Sequence, residues 1–439
     1  MEPDKNTKGS AGNTIVRRSK RQKVSATKDL HLAPKCPIPD SKSTKSRVNF
    51  STGMAKQIFL KQVKEGLNNN FVLSPISMDL LLGMVASGLC GTALERTLTL
   101  LGAQDIHEIK SSASAIMAAF AGGGGRSDKG GDDLVLCMVN GAWVDKQFPL
   151  VDSYKEDVLK GIYDCDAQTV DFVEQANEVA KQINLWAEDA SKGLITDLLQ
   201  PDKLSPLTTI VLANGLYFKG IWAHKHKFDA SLTKKRNFHL LTGDTISVPF
   251  MKSCERYHYR SFDTFKVLKI PYQSANPDRK FSMYFFLPHE NVGLEHLFEE
   301  LYSDSVFLKQ DFFNLSMKSF DEVLIPKFKF SYEFDVSRTM EEMGMTFSFT
   351  ENPEDVSGVM EMPEGVQFLD PIMIQKVVIN VDEKGTEAAV VTRSQLATTA
   401  GRCSPPKLSF VADHPFMFMI REEISELVFF TGAVLNPCL

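Results

Sequence analysis

Apolar residues recur at helical intervals in the first part of the chain. Phe50, Met54, Ile58 and Leu60 fall on one face of a helix. The stretch SPISMDLLLGMVASGLCGTALERTLTLLG, residues 74–102, opens with Ser-Pro and closes with Gly, which predicts one long apolar helix. The pattern ANEVAKQINLWAED, residues 176–189, predicts another helix.

Runs of β-branched and aromatic residues dominate the rest of the chain and predict strands. Two runs are long, DLVLCMVNGAWV at 133–144 and TIVLANGLYFKGIW at 209–222. Shorter runs at meander spacing are RNFHLL, ISVPFMK, FKVLKIPYQ and FSMYFFLPH, and DEVLIPKFKFSYEFDVSRTMEEMG predicts a strand followed by a short helix. Helices come first and strands follow, so the pattern predicts one large α+β domain over residues 48–439.

One segment fits neither pattern. EKGTEAAVVTRSQLATTAGRC, residues 383–403, begins like a charged turn, then contains two alanines and two valines, and ends small and polar. It lies between two well-patterned strands, IMIQKVVINV and KLSFVADHPFMFMI. The segment therefore combines the character of a loop with that of a strand.

Composition narrows the class of protein. The chain has 439 residues, 43% of them hydrophobic, and contains no apolar run long enough to cross a membrane. Its first residues lack the apolar core of a secretory signal. Seven widely spaced cysteines without a C-x-x-C pair favour reduced thiols over disulfides or zinc. We therefore expect a protein of the nucleus or cytoplasm, with an extracellular location as the alternative.

Residues 1–47 lack apolar periodicity and are expected to be a disordered basic tail. They contain twelve Lys and Arg against four Asp and Glu, a net charge of +8, which leaves −14 for the remainder of a chain whose total is −6. The segment RRSKRQK places Arg17, Arg18, Lys20, Arg21 and Lys23 within seven residues. This cluster is typical of a nuclear signal that binds an import receptor, and equally of a solvated charge run.

Enzymatic signatures are missing from the sequence. It has no G-x-S-x-G, no H-E-x-x-H and no Rossmann fingerprint, and the glycines of residues 121–133 are not followed by the Lys-Ser/Thr of a phosphate loop. His224 and His226 have no third ligand at metal spacing, and no nucleophile can be argued for Asp413-His414, so His414 is interpreted as structural. We expect neither an enzyme nor a metal or other cofactor.

Several long motifs resemble those of the serpin family, in the right order. FVADHPFMFMI, residues 410–420, fits the family's C-terminal signature, and NFVLSPISMDLLLGMVASG resembles its helix B region. VLANGLYFKGIW resembles the central strand that carries the family's Asn and Trp, here Asn214 and Trp222, while EKGTEAA resembles the hinge of the reactive-centre loop. The resemblance covers residues 48–439 and is strongest to the plant branch.

The resemblance implies the serpin fold, with three β-sheets, eight or nine helices and an exposed reactive-centre loop at about residues 385–409. It also implies suicide inhibition of a serine protease, or of a papain-like cysteine protease, by a monomer without a small-molecule substrate. The protease attacks the loop and forms an acyl-enzyme, and the cut loop then inserts as a new strand into the central sheet.

Family spacing places the cleaved bond fourteen residues after Gly385, at Thr399-Ala400. The hinge implied by the resemblance comprises Glu383, Gly385, Thr386, Glu387, Ala388, Ala389, Val390 and Val391. On insertion, alternate side chains must face the core. The inward set is Thr386, Ala388, Val390, Thr392, Ser394 and Leu396, all small or apolar, and the outward set contains both charges, Glu387 and Arg393. Because a buried charge is costly, this sorting favours a loop that can insert.

Three features depart from the family pattern. Val390 and Val391 replace small hinge residues. Gln375 aligns with a buried histidine of the shutter, whose expected partners here are Ser74, Ser77 and Asn214. Thr399 favours an elastase-like protease rather than a trypsin-like one.

These departures keep a second hypothesis open, a non-inhibitory serpin that acts by binding or regulation. A third is a nuclear protein that contacts nucleic acid through its basic tail, although the acidic body opposes extensive contact.

Overall fold

The computed structural model describes residues 53–61, 69–121, 134–274, 277–302, 313–343, 352–363, 371–386 and 408–439. The α-helices are α1 (53–61), α2 (Pro75–Ala86), α3 (Gly91–Leu101), α4 (Ile106–Ala121), α5 (Gly161–Tyr163), α6 (Phe172–Ala190), α7 (Gly293–Tyr302) and α8 (Val336–Glu342). A π-helical stretch, Tyr154–Lys160, leads directly into α5.

The strands are β1 (Phe71–Leu73), β2 (Val135–Asp145), β3 (Cys165–Val170), β4 (Ile210–Ile221), β5 (Lys234–His239), β6 (Thr245–Ser253), β7 (Arg256–Ser261), β8 (Phe265–Pro271), β9 (Phe281–Pro288), β10 (Ser316–Pro326), β11 (Phe328–Asp335), β12 (Ile372–Asp382), β13 (Gly385–Thr386), β14 (Leu408–Val411), β15 (Phe416–Glu422) and β16 (Val428–Val434).

The strands form three β-sheets, so the α+β prediction is confirmed. The first sheet has the order β11-β12-β13-β4-β2-β3. The second runs β1-β16-β15-β9-β8-β7 and continues to β10, whose other end pairs with β6 and β14 of the third sheet. The large hydrophobic core includes one face of the first sheet, and α6 covers the opposite face with a second apolar cluster.

The one long helix expected over residues 74–102 is wrong, because the chain forms α2 and α3 with a break between them. Ser74 caps α2, since its side chain accepts a hydrogen bond from the Ser77 amide. At Gly88 the chain passes so close to Val359 and Tyr154 that a Cβ would lie 2.5 and 2.7 Å from their side chains. The apolar pattern continued through this turn, but the tertiary contact that breaks the helix was not visible in it.

The prediction of His414 as a structural histidine agrees with its contacts. Its Nδ1 lies 2.9 Å from Asp413 Oδ1 and its Nε2 lies 2.9 Å from the carbonyl oxygen of Pro288. Both neighbours are acceptors, so the ring binds best as an imidazolium that donates from both nitrogens. Burial disfavours this charge, but the hydrogen bonds to Asp413 and Pro288 outweigh it and raise the pKa of His414.

We predict that this contact makes stability depend on pH. A histidine pKa raised by folding stabilises the native state fully below the unfolded pKa of about 6.5, and the contribution is lost as pH rises through the folded value. The thermal midpoint should therefore fall between neutral and mildly alkaline pH, and His414→Gln should flatten this part of the profile. The exposed His107→Gln is the control; a profile unchanged by His414→Gln would contradict the prediction.

Candidate functional site

A two-residue turn sends the chain from β12 back into its own sheet. Glu383 and Lys384 form the turn, and β13 then pairs antiparallel with β12, Gly385 opposite Asp382 and Thr386 opposite Val381. The Lys384 amide donates to Asp382 Oδ1 at 2.8 Å, which stabilises the turn. The charged start of the ambiguous segment is therefore a hairpin turn.

The other edge of β13 pairs with β4, so two residues of the segment already lie between two strands. Gly385 is opposite Ile221 and Thr386 is opposite Gly220, again antiparallel. Further along, β12 and β4 pair directly with each other in parallel, from Ile372 with Val211 to Val378 with Tyr217. We call this line between β4 and β12 the seam. It is filled by β13 at one end and closed by direct strand pairing from Ile372 to Val378.

Gly385 is required at its position in β13. Its φ is +151°, a value that L side chains rarely adopt, and a Cβ here would overlap the carbonyl oxygen of Gly220 and lie 2.6 Å from Ile221 Cα. Thr386 beside it is fully buried, as its place in the inward set predicts.

Trp222 anchors the hairpin turn from the end of β4. Its backbone amide donates to the Lys384 carbonyl at 2.8 Å, and its indole Nε1 donates to the Asp382 carbonyl at 3.0 Å. The Glu383 carboxylate accepts from Lys327 Nζ and from the Thr233 hydroxyl, both at 2.8 Å. Burial would raise the pKa of Glu383, but these hydrogen bonds and the Lys327 charge outweigh it and lower the pKa.

A chain of buried hydrogen bonds crosses the seam at its middle. Gln375 on β12 accepts from the Ser74 amide at 2.8 Å and donates from Nε2 to the Ser74 carbonyl at 3.0 Å. The Ser77 amide and hydroxyl then link Ser74 Oγ to Asn214 Oδ1 on β4. Asn214 Nδ2 donates to Asn140 Oδ1 on β2 at 2.6 Å. The chain thus ties β12, α2, β4 and β2 together through neutral groups.

A segment that follows α6 lies over the closed part of the seam. Lys376 Nζ donates to the Asp197 carbonyl at 3.2 Å, and a Cβ on Gly215 would lie 2.7 Å from Ile195. Lys376 and Gly215 are opposite each other in the β12–β4 pairing. Any strand that separated β12 from β4 at this level would have to displace this segment.

A comparison with protein-family models identifies the family. A protein-family model described as Serpin (serine protease inhibitor) matches residues 47–437. The chain belongs to the serpin family.

Plant serpins are similar to this chain over most of their length. Serpin-Z10 of Arabidopsis thaliana is 38% identical over 84% of this chain and 92% of its own, and Serpin-ZXA of rice is 35% identical over 85% and 92%. The solved structure of Arabidopsis AtSerpin1 in its native stressed conformation has a TM-score of 0.77 at 33% identity, covering 92% of this chain and 99% of that one. Thyroxine-binding globulin in complex with thyroxine has a TM-score of 0.73 at 25% identity, covering 90% and 99%.

The structure brings together the predicted site residues that it describes. Gln375 contacts Ser74 rather than Ser77 or Asn214 directly, and the serines carry the connection onward. Glu383, Gly385 and Thr386 lie near Trp222: Glu383 is in the hairpin turn, and Gly385 and Thr386 are in the sheet rather than in an exposed loop. The predicted residues that lie outside the described part are Glu387, Ala388, Ala389, Val390, Val391, Thr399, Ala400, Arg17, Arg18, Lys20, Arg21 and Lys23.

Several residues of this site were missed by sequence reasoning. Asn140 is polar within the apolar run MVNGAWV, a signal that could have identified it. No local sequence pattern marks the other missed residues, because each contacts a segment that is distant in the chain. They are Tyr272, Lys327, Thr233 and Lys376. In this serpin the described residues include no group of His, Cys, Asp and Glu that could hold a metal ion, and none of their helices is long and apolar enough to span a membrane.

We predict that Gln375→Ala lowers the free energy of unfolding by about 2–4 kcal/mol. The substitution removes two hydrogen bonds and leaves the buried Ser74 amide without its acceptor, and such unsatisfied groups cost about 1–3 kcal/mol each. Urea unfolding monitored by circular dichroism measures the change. Gln200→Ala, at an exposed position, is the control and should stay within about 0.5 kcal/mol. Equal stability of the two variants would refute a structural role for this contact.

Proposed function

We propose that this serpin is a suicide inhibitor of a serine or papain-like cysteine protease, acting by cleavage-triggered insertion of its reactive-centre loop into the seam. The observation that carries the proposal is β13, which occupies the seam with antiparallel partners on both sides. A longer inserted strand needs this same pairing. The family description supports protease inhibition in general, and plant serpins support it for this branch.

The pairing pattern supports a specific register for insertion. Thr386 lies between Val381 and Gly220, and each further residue would move one step along both strands. Residue 392 then reaches the pair Gln375–Asn214. Thr392 would therefore meet the buried hydrogen-bonded chain with a small hydroxyl side chain, which can both donate and accept.

The faces of the neighbouring strands support the inward set predicted from sequence. Residues on β12 and β4 at the same levels as alternate loop positions face the large core, including Ile379, Val377, Phe218 and Leu216. Ala388 and Val390 would enter this apolar layer. The outward positions would face α6 or solvent. Glu387 would lie between the half-buried Asn380 and Lys219, whereas Arg393 would lie between Ile374 and Ala213 of the second apolar cluster.

Protease incubation tests the proposal. The protein is mixed with elastase-like, trypsin-like and papain-like proteases, and covalent complexes are resolved on denaturing gels. We expect an SDS-stable complex, with the elastase-like enzyme favoured by Thr399-Ala400, and a cleaved form with a raised thermal midpoint. Thr392→Arg, which places a charge on the inward face, should turn the protein into a substrate because burying that charge is costly.

The matched control is Glu387→Arg, which places the same side chain at an outward position between the half-buried Asn380 and Lys219 and should still form complex. Clean cleavage of the unmodified protein, without complex and without a gain in thermal stability, would rule out insertion. Equal complex formation by the two arginine variants would show that the register is wrong.

A non-inhibitory role is the second candidate. Thyroxine-binding globulin shares the fold and was solved with a small hormone, so a serpin architecture also serves in ligand binding. Val390 and Val391 favour this alternative, because bulky hinge residues can slow the first insertion step. The protease incubation separates the two functions.

We propose that the segment RRSKRQK is a nuclear import signal. Its five basic residues lie close together in a tail that opposes an acidic body. Replacing Arg17, Arg18, Lys20 and Arg21 with Ala should move a fluorescently tagged protein from nucleus to cytoplasm. The control replaces four scattered lysines of the same tail, Lys5, Lys8, Lys42 and Lys45. If both variants have the same distribution, the cluster is a solvated charge run and not an import signal.

A further inference from the structure

Tyr272 contacts the side chain of Thr386, the second residue of β13. Its hydroxyl lies 2.9 Å from Thr386 Oγ1, and either oxygen can be the donor. The two residues are 5% and 0% exposed, so water does not compete for this hydrogen bond. Tyr272 immediately follows β8 of the second sheet and forms an isolated antiparallel bridge with Trp222, the residue after β4.

Aromatic neighbours fix the orientation of the Tyr272 ring. The ring stacks on Trp222 with centroids 4.7 Å apart and an interplanar angle of 15°, and it meets Phe218 edge-on at 5.0 Å. Trp222 in turn hydrogen-bonds the turn that precedes Thr386. Burial raises the pKa of Tyr272, so the hydroxyl stays protonated and can donate at physiological pH.

The turn and the strand are held by different contacts. Lys327, Thr233 and Trp222 bind the turn residues Glu383 and Lys384. The side chain of Thr386, by contrast, is bound by Tyr272, one residue beyond the position where Gly385 passes against Gly220. Loss of the Tyr272 hydroxyl would thus free the threonine side chain and leave the turn contacts in place.

We propose that Tyr272 is a positioning residue that holds Thr386 in the seam before cleavage, so that insertion starts from an existing two-residue strand. This inference rests on the proposed inhibitory function. Ordering the first residues of a new strand costs conformational entropy, and in the intact chain this cost has already been met for Gly385 and Thr386. After cleavage, insertion then competes better with deacylation, and a larger fraction of the protease is trapped.

Hydrogen exchange measured by mass spectrometry tests the contact without any protease. Peptides that cover 216–222 and 377–386 should exchange about threefold to tenfold faster in Tyr272→Phe, the range expected for one lost hydrogen bond. Tyr257→Phe is the matched control, because it removes a buried hydroxyl pair, Tyr257 with Ser253 at 2.7 Å, elsewhere in the molecule. Unchanged exchange in Tyr272→Phe, or the same increase in the control, would overturn the proposal.

The partition between covalent complex and cleaved serpin tests the consequence. Tyr272→Phe and Thr386→Val should each raise the cleaved fraction relative to complex by about threefold to tenfold. The rate of loop cleavage should remain unchanged. Thr386→Ser keeps the hydroxyl and should preserve the normal partition.

The double variant Tyr272→Phe/Thr386→Val should match Tyr272→Phe. Both substitutions remove the Tyr272–Thr386 hydrogen bond, and only Tyr272→Phe also removes the weaker contact of the hydroxyl with Met283 Sδ at 3.5 Å. Additive effects, or a normal partition despite faster exchange, would overturn the positioning role. If the unmodified protein forms no complex with any protease, the inhibitory function fails, and the exchange experiment alone still decides whether Tyr272 holds Thr386.

Discussion

The parallel pairing of β4 with β12 is the constraint on which the rest of this serpin depends. Parallel ladders are slightly less stable per residue than antiparallel ones, and this one forms although an antiparallel strand fits between the same two strands. A strand inserted along the whole seam would replace one parallel interface by two antiparallel interfaces. Two antiparallel interfaces would pair more backbone groups than the one parallel interface, which is the energetic basis of the insertion proposed above.

Contacts hold the seam at three levels along its length. At the end occupied by β13, aromatic stacking and the Glu383–Lys327 ion pair hold the hairpin. At the middle, Gln375 and Asn214 are joined through α2. On the outer face, the Lys376 contact with the Asp197 carbonyl holds the segment after α6 in place. Opening the closed part of the seam requires the middle and outer contacts to rearrange, whereas the hairpin contacts hold the strand that is already inserted.

Glycines in the seam make this arrangement sterically possible. Gly215 on β4 leaves room for Ile195, and Gly220 leaves room for Tyr272, whose Cδ1 would lie 2.7 Å from a Cβ there. Gly385, which has no Cβ, fits against the backbone of Gly220 and Ile221. Because Gly215 and Gly220 have no side chains, the side chains of Ile195 and Tyr272 can pack against the seam.

Sequence reasoning succeeded where structure follows from local pattern. Ser74-Pro75 predicted the start of α2, and alternation placed Thr386 inward. It failed where distant segments contact the chain: Val359 and Tyr154 pack against Gly88 between α2 and α3, and the backbone of Gly220 and Ile221 passes against Gly385. No local pattern reports either contact. The sequence around Tyr272, IPYQ, predicts only the end of a strand and gives no indication of the contact with Thr386.

The buried chain through Gln375 has a consequence for how this sheet senses its surroundings. Its side chains belong to Gln, Ser and Asn, which neither gain nor lose a proton between acid and alkaline pH. The centre of the seam is thus indifferent to acidity, whereas the turn that precedes β13 relies on the charges of Glu383 and Lys327. Protonation of Glu383 would weaken the turn contacts, while the Gln375–Ser74–Ser77–Asn214 chain would keep its hydrogen bonds.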